Sequence, residues 1–368
     1  MASTAVVRDP AIQVRLDDLL DQRGLEAIWF ARPNNFAWLT GGDNVVDRAS
    51  EVGVAAAGYD GDGLTVVTDT IEAPRLRDEE LPDAATVETF EWYDGSLAET
   101  VAEVSDRPAA ADFDAPGLAT LDVSTLRQPL TSPQMEAYRA LGRDTAAAVE
   151  AICRTVSPTD TEREIAARLR GRLATKGIEA PVALVGGGDR AQRYRHLTPT
   201  DTSIDDYALV SVTAERDGLF ASCTRTVAFD PPGWLSRRHH AAATVEASAI
   251  AATREVGLDE GTAGDVFEKI QEAYGTVGWD DEWQSHHQGG AAGFSGREWI
   301  ATPTHEATVE LPMAFAYNPT IRGAKSEDTV LVTENGFEIL TDTGEWPTLT
   351  AEADNGDVTL SRPDVLLR

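Results

Sequence analysis

Hydrophobic positions recur at helical spacing near the start of the chain. Ile12, Leu16, Leu19 and Leu20 share one stripe, and Gly24 supplies a stop. The apolar run LEAIWF follows, then the strand-like runs VGVAAAGY and GLTVVTD, then an acidic helical segment over Leu97–Val104. Strands alternating with helices predict a small α/β unit. The pattern breaks at LRQPLTSPQ (126–134), whose two prolines disfavour regular structure, so the chain divides into residues 1–128 and 129–368.

Past this boundary Ser132, followed by Pro133, reads as the N-cap of a long helix running through Val156. SPTDTEREIAARLRGRLATKG restarts the helical period. Thr161 and Glu164 form a capping box, Ile165, Leu169 and Leu173 line one face, and Gly177 ends it. From about residue 182 the texture turns to strands, interrupted by a helical stretch over 236–277. Asp217-Gly218, between ALVSVTAER and LFASCTRTV, is the signature of a two-residue hairpin turn. Such a turn pairs Thr213 with Ser222 and Ser211 with Thr224. Paired residues and their second neighbours project to one face, so these four hydroxyls share a polar face. Val210, Val212, Ala214, Ala221 and Cys223 take the other, which is the expected buried side.

Composition narrows the class. The 368 residues, 42% of them hydrophobic, suffice for two domains with their own cores. No apolar run approaches the roughly 20 residues that cross a bilayer. The N-terminus lacks a basic segment followed by an apolar core, so a cytoplasmic protein is expected. Sixty-two acidic residues against 31 basic ones give a net charge of −31, which argues against nucleic acid as a partner. An acidic surface suited to concentrated salt, and hence a halophilic source, is the reading that fits. Cys153 and Cys223 are too few for a disulfide framework or a thiolate zinc site. VGGGDR (185–190) lacks the Gly-Lys-Ser/Thr ending of a phosphate loop and reads as a flexible loop.

RHLTPTDTSIDDYALVSVTAERDGLFASCTRTVAF resembles the core of the pita-bread family of creatinase, prolidase and Xaa-Pro aminopeptidase, and SEDTVLVTENGFEILT resembles its closing hairpin. GREW after the HHQGG turn is closer to creatinase, and RLDDLLDQRGLEAIWFARPNNFAWLTGG resembles the start of a creatinase-type N-terminal domain. The implied architecture is a creatinase-type N-terminal α/β domain (1–128) followed by a pita-bread catalytic-type domain (129–368), of α/β (α+β) class, assembled as a homodimer.

Peptidases of that family hold two metals with Asp, Asp, His, Glu and Glu. The resemblance carries these onto Ser211, Ser222, His287, Asn318 and Glu327, so only His287 and Glu327 are retained. Hard divalent ions require anionic oxygen ligands, and one carboxylate with one imidazole cannot hold a metal pair. A single zinc on His287, Glu327 and His286 is the alternative. Adjacent histidines on an extended strand point to opposite faces, so sharing an ion would require an irregular turn.

The resemblance to creatinase, which works without metal, makes His196 the expected proton-transfer residue, since imidazole titrates near working pH. His287 and Glu327 are expected to support it. Ser211, Ser222, His286 and Asn318 are expected to bind polar groups of substrate. Arg225 and Arg297 are candidates for gripping a substrate carboxylate. The expected function is a creatinase- or Xaa-Pro-peptidase-like hydrolase of a small carbon–nitrogen compound or short peptide, with no cofactor. Two alternatives stand beside it. One is a metal-dependent Xaa-Pro aminopeptidase or dipeptidase with a non-standard ligand set, and the other is a non-catalytic binding protein.

Overall fold

A computed structural model describes residues 7, 9–354, 356 and 358–368. The chain folds as two compact units, Met1–Gln128 and Pro129–Arg368, both of mixed α/β structure.

In the first unit, α1 (Pro10–Arg23) is capped by Asp9, whose Oδ1 accepts from Ala11 N–H, and ends at Gly24 with φ +60°. It buries Ile12, Leu16 and Leu20 of the stripe read from the sequence and leaves Leu19 half-buried. Strands β1 (Ala27–Phe30), β2 (Ala55–Tyr59), β3 (Leu64–Asp69), β4 (Thr86–Phe90), β5 (Ala109–Ala111) and β6 (Ala119–Thr120) form one mixed sheet in the order β4-β3-β2-β1-β5-β6. The helix α2 (Leu97–Val104) starts at Ser96, whose hydroxyl accepts from Glu99 N–H, and contributes Val101 to a core with Trp29, Val67 and Phe113.

The second unit opens on α3 (Ser132–Cys153). Its N-cap is Thr131, one residue earlier than Ser132: the Thr131 N–H donates to Gln134 Oε1 at 2.9 Å, so the Gln134 side chain folds back on the cap. The helix ends at Cys153, short of Val156. α4 (Glu162–Ala174) carries the Thr161–Glu164 capping box and buries Ile165, Leu169 and Leu173. A four-stranded sheet follows, built from β7 (Glu179–Gly187), β8 (Tyr207–Arg216) and β9 (Leu219–Ala228), with a short C-terminal strand beside β9. VGGGDR is no free loop. Its first half completes β7, and a short helix, Gly188–Arg193, follows. A Cβ at Gly187 would lie 2.0 Å from Tyr207 O, so this glycine permits close strand approach.

Helices α5 (Leu235–Leu258) and α6 (Ala263–Thr276) lead to the second sheet, β10 (Gly289–Ala292), β11 (Met313–Tyr317), β12 (Asp328–Thr333) and β13 (Gly336–Ile339), in chain order and antiparallel. The hairpin β14 (Thr348–Glu352) and β15 (Thr359–Pro363) comes last. Between the sheets lies a buried charge network. Arg362 donates to Glu246 (2.6 and 3.0 Å) and Asp328 (2.6 Å), and Arg225 donates to Asp328 (2.8 Å) and the Thr341 carbonyl (2.6 Å). Among the described residues no helix is long and apolar enough to cross a membrane.

Candidate active site

Asp217 and Gly218 both adopt positive φ, +54° and +78°, which matches the strand twist and fixes the β8–β9 register. Ser211 stands opposite Thr224 and Thr213 opposite Ser222, as read from the sequence. Their hydroxyls pair across the strands, Ser211 Oγ with Thr224 Oγ1 at 2.7 Å and Thr213 Oγ1 with Ser222 Oγ at 2.9 Å. The backbone of β9 meets the segment leading into β12: Thr224 N–H donates to Glu327 O at 2.9 Å. Glu327 is thereby brought beside the hydroxyl ladder.

The Glu327 carboxylate is buried and fully engaged. Oε2 accepts from Thr224 Oγ1 at 2.7 Å and pairs with Lys325 Nζ at 2.8 Å, and Oε1 accepts from Arg297 Nη2 at 3.3 Å. Burial alone would raise its pKa, but the charges of Lys325 and then Arg297 outweigh it and hold the carboxyl below its ordinary value. Arg297 also donates to Ser222 Oγ at 3.4 Å.

The histidines arrive on two segments. The 195–200 segment is tied down by Glu162, which accepts from Arg190 Nε, Thr200 N–H and Thr200 Oγ1, and by Leu197 O, which accepts from Val185 N–H. Arg195 donates to Glu282 Oε2 at 2.8 Å, joining this segment to the turn before His286. The second segment leaves a single helical turn, Glu282–Ser285, and enters β10 through Gly289 at φ +89°. A Cβ at Gly289 would lie 2.1 Å from Ala316 O, so glycine is required. Gln288 fixes the bend, accepting from Tyr274 OH at 2.8 Å and donating to Trp283 O at 3.1 Å.

The outcome differs from strand alternation. His286 and His287 do not diverge but stack, with ring centroids 4.4 Å apart and planes 25° apart. His286 Nε2 lies 3.3 Å from His196 Nε2, so one ring donates to the other. Partial burial, and then the Lys325 charge, lowers the His286 pKa to about 2; partial burial, and then Arg297, lowers His287 to about 4.

A hollow of about 290 Å³ brings together His196, Ser211, His287, Arg297, Asn318 and Glu327. Ser222 backs it through its contact with Arg297, and His286 touches it through the other two histidines. Arg225 lies elsewhere. It is buried in the charge network, where Nη1 and Nη2 donate to Asp328, Thr224 O and Thr341 O and Nε faces Glu150 at 3.5 Å, so it braces the core and does not line the hollow. Cys223 is buried and burial pushes its thiol up, which suits no nucleophile. Lys325 escaped the sequence reading. It is one of three lysines and lies two residues before Glu327, a spacing that puts both side chains on one face of an extended segment.

A carboxylate-bridged metal pair does not fit these side chains. Among the described residues lining the hollow, Glu327 is the sole carboxylate, and both its oxygens are held by ammonium, guanidinium and hydroxyl donors. Asn318 Oδ1, buried without a partner, is a neutral acceptor.

The description "Metallopeptidase family M24" matches residues 136–334. An Xaa-Pro dipeptidase of Pyrococcus furiosus is 21% identical over 352 residues, 89% of this chain and 97% of that one. Among solved structures, the prolidase of Pyrococcus horikoshii OT3 superposes with a TM-score of 0.71 at 16% identity, covering 93% of this chain and 99% of that one. The N-terminal domain of the FACT complex subunit SPT16 from Cicer arietinum (chickpea) superposes at 0.64 and 10%, covering 92% and 98%. At such identities the structural likenesses establish the fold alone, whereas the family match spans more than half of the sequence. The chain belongs to metallopeptidase family M24, the pita-bread family of creatinase and prolidase, whose enzymes are hydrolases of the aminopeptidase P and prolidase type.

Proposed function

We propose that this pocket hydrolyses a carbon–nitrogen bond in a short peptide or a small amide or amidine, without a carboxylate-bridged metal pair. The observation that carries the reading is the Lys325–Glu327–Arg297 cluster, in which fixed protein cations face the hollow beside the one carboxylate. His196 takes a proton from water as its oxygen bonds to the carbonyl or amidine carbon. The same imidazolium returns the proton to the leaving nitrogen as the C–N bond breaks. Arg297 and Lys325 face the negative charge that develops on the attacked group, and Ser211 and Asn318 bind neutral polar groups. His287 and Glu327 hold this arrangement. The substrate class follows the family and the Xaa-Pro dipeptidase relative.

The test is turnover of a panel of Xaa-Pro dipeptides, amides and amidines by chelator-treated protein, with His196→Ala alongside. Activity that survives chelation and falls at least about 100-fold in the variant supports the reading. Activity that requires added manganese or cobalt would instead favour a metal-dependent peptidase with a non-standard ligand set. One observation favours a second reading, a non-catalytic binding pocket: every oxygen of Glu327 is already satisfied within the protein. Ligand-induced stabilisation with no turnover on any panel member would establish it.

A further inference from the structure

The three histidines have a property that the hydrolytic reading does not use. The chain holds six histidines, and His196, His286 and His287 each offer a ring nitrogen within 4.8 Å of the others. Stacked neighbours in sequence are not what an extended segment delivers. The arrangement depends on the helical turn before His286 and the positive-φ Gly289 after His287. Glu282 then draws His196 to the pair through Arg195.

We propose that His196, His286 and His287 form a mononuclear site for a borderline transition metal such as Zn²⁺, Co²⁺ or Ni²⁺. A tetrahedral ion with nitrogens at 2.0–2.1 Å sets them about 3.3 Å apart. His196 Nε2 and His286 Nε2 already stand 3.3 Å apart. The widest separation exceeds this by at most about 1.5 Å, a gap that side-chain rotation of His196 and His287, both exposed, can close. All-imidazole donors select this class of ion over Mg²⁺, Ca²⁺ and Mn²⁺, which favour oxygen.

The cations nearby each carry a carboxylate partner, Arg195 with Glu282 and both Lys325 and Arg297 with Glu327. They weaken the site without closing it. His286 Nδ1, buried with no partner, provides no outer hydrogen bond to strengthen ligation, so the affinity is moderate. An ion here leaves a fourth position to water. It also takes the His196 lone pair, so under the hydrolytic reading proposed above the metal is an inhibitor and no cofactor.

The experiment uses tag-free, chelator-stripped full-length protein titrated with Co²⁺, read by visible absorption, followed by displacement with Zn²⁺. One equivalent with a tetrahedral spectrum is expected. His286→Ala and His287→Ala, each checked for fold by circular dichroism, should bind at least about tenfold more weakly. His240→Ala, an exposed residue outside the cluster, should bind normally. Absence of binding by the wild type, equal binding by the histidine variants, or equal competition by Mg²⁺ overturns the proposal. Turnover is measured separately. Loss of activity on stoichiometric Zn²⁺ supports inhibition, and activity that appears only in loaded protein keeps the site but sinks the metal-free reading of His196.

Discussion

The Lys325 ammonium sits 2.8 Å from Glu327 Oε2, with both side chains less than one-tenth exposed, so a fixed cation rests on the pocket's one carboxylate. Removing one member of such a pair leaves a buried charge short of its partner, which costs about 3 kcal/mol. Lys325→Met should lower unfolding free energy by roughly that amount, and Lys325→Met with Glu327→Gln should recover most of it. A double-mutant cycle in urea measures the coupling, expected to exceed about 1 kcal/mol. Additive single losses would show the pair to be energetically idle.

Gly289→Ala should be among the more damaging small substitutions. The φ of +89° and the 2.1 Å approach to Ala316 O together put its cost above about 2 kcal/mol. The same substitution should disturb the His286–His287 stack, visible as shifted histidine resonances in NMR of the folded fraction. A thermal midpoint within a degree of wild type would refute the argument.

His239 supplies a pH dependence remote from the pocket. Its Nε2–H donates to Pro363 O at 2.8 Å, while Nδ1 is buried with no partner. Burial therefore lowers its pKa from the ordinary value, since protonation would place a charge in the core. The unfolded chain binds the proton more readily, so stability is present above about pH 6.5 and is lost as pH falls below it. His239→Gln keeps a donor at the Nε2 position but cannot titrate. Between pH 7.5 and 5.5 its urea midpoint should fall less than that of the wild type; parallel slopes would contradict this.

A net charge of −31 predicts a salt dependence of opposite origin. Raising NaCl from about 0.1 to 1 M shortens the Debye length from about 10 to 3 Å and screens repulsion among surface carboxylates. The thermal midpoint should rise over that range by several degrees. Differential scanning calorimetry at fixed pH decides the matter, and a flat or falling midpoint would remove the halophilic reading.

Local rules made much of the second unit readable. Asp217-Gly218 sets the parity of a ten-residue ladder, so four hydroxyls on one face followed from one turn. Thr161 and Glu164 likewise announced their helix. The failures share a cause, since each depends on partners distant in sequence. Arg225 carries the same side chain whether it meets a substrate or Asp328, 103 residues away. The His286–His287 stack depends on Gln288 being pinned by Tyr274. Lys325 was visible as a rare residue at strand spacing from Glu327, and only the folded sheets show Arg297 joining it.

Arg362, on the last hairpin, is the counter-charge for Glu246 and Asp328, which precede it by 116 and 34 residues. Until residue 362 has left the ribosome, Glu246 has no guanidinium to close upon and Asp328 has that of Arg225 alone. The buried charge network of the second unit is thus complete only once the last hairpin has been made. A chain broken off before β15 would leave Glu246 a buried anion without its counter-charge.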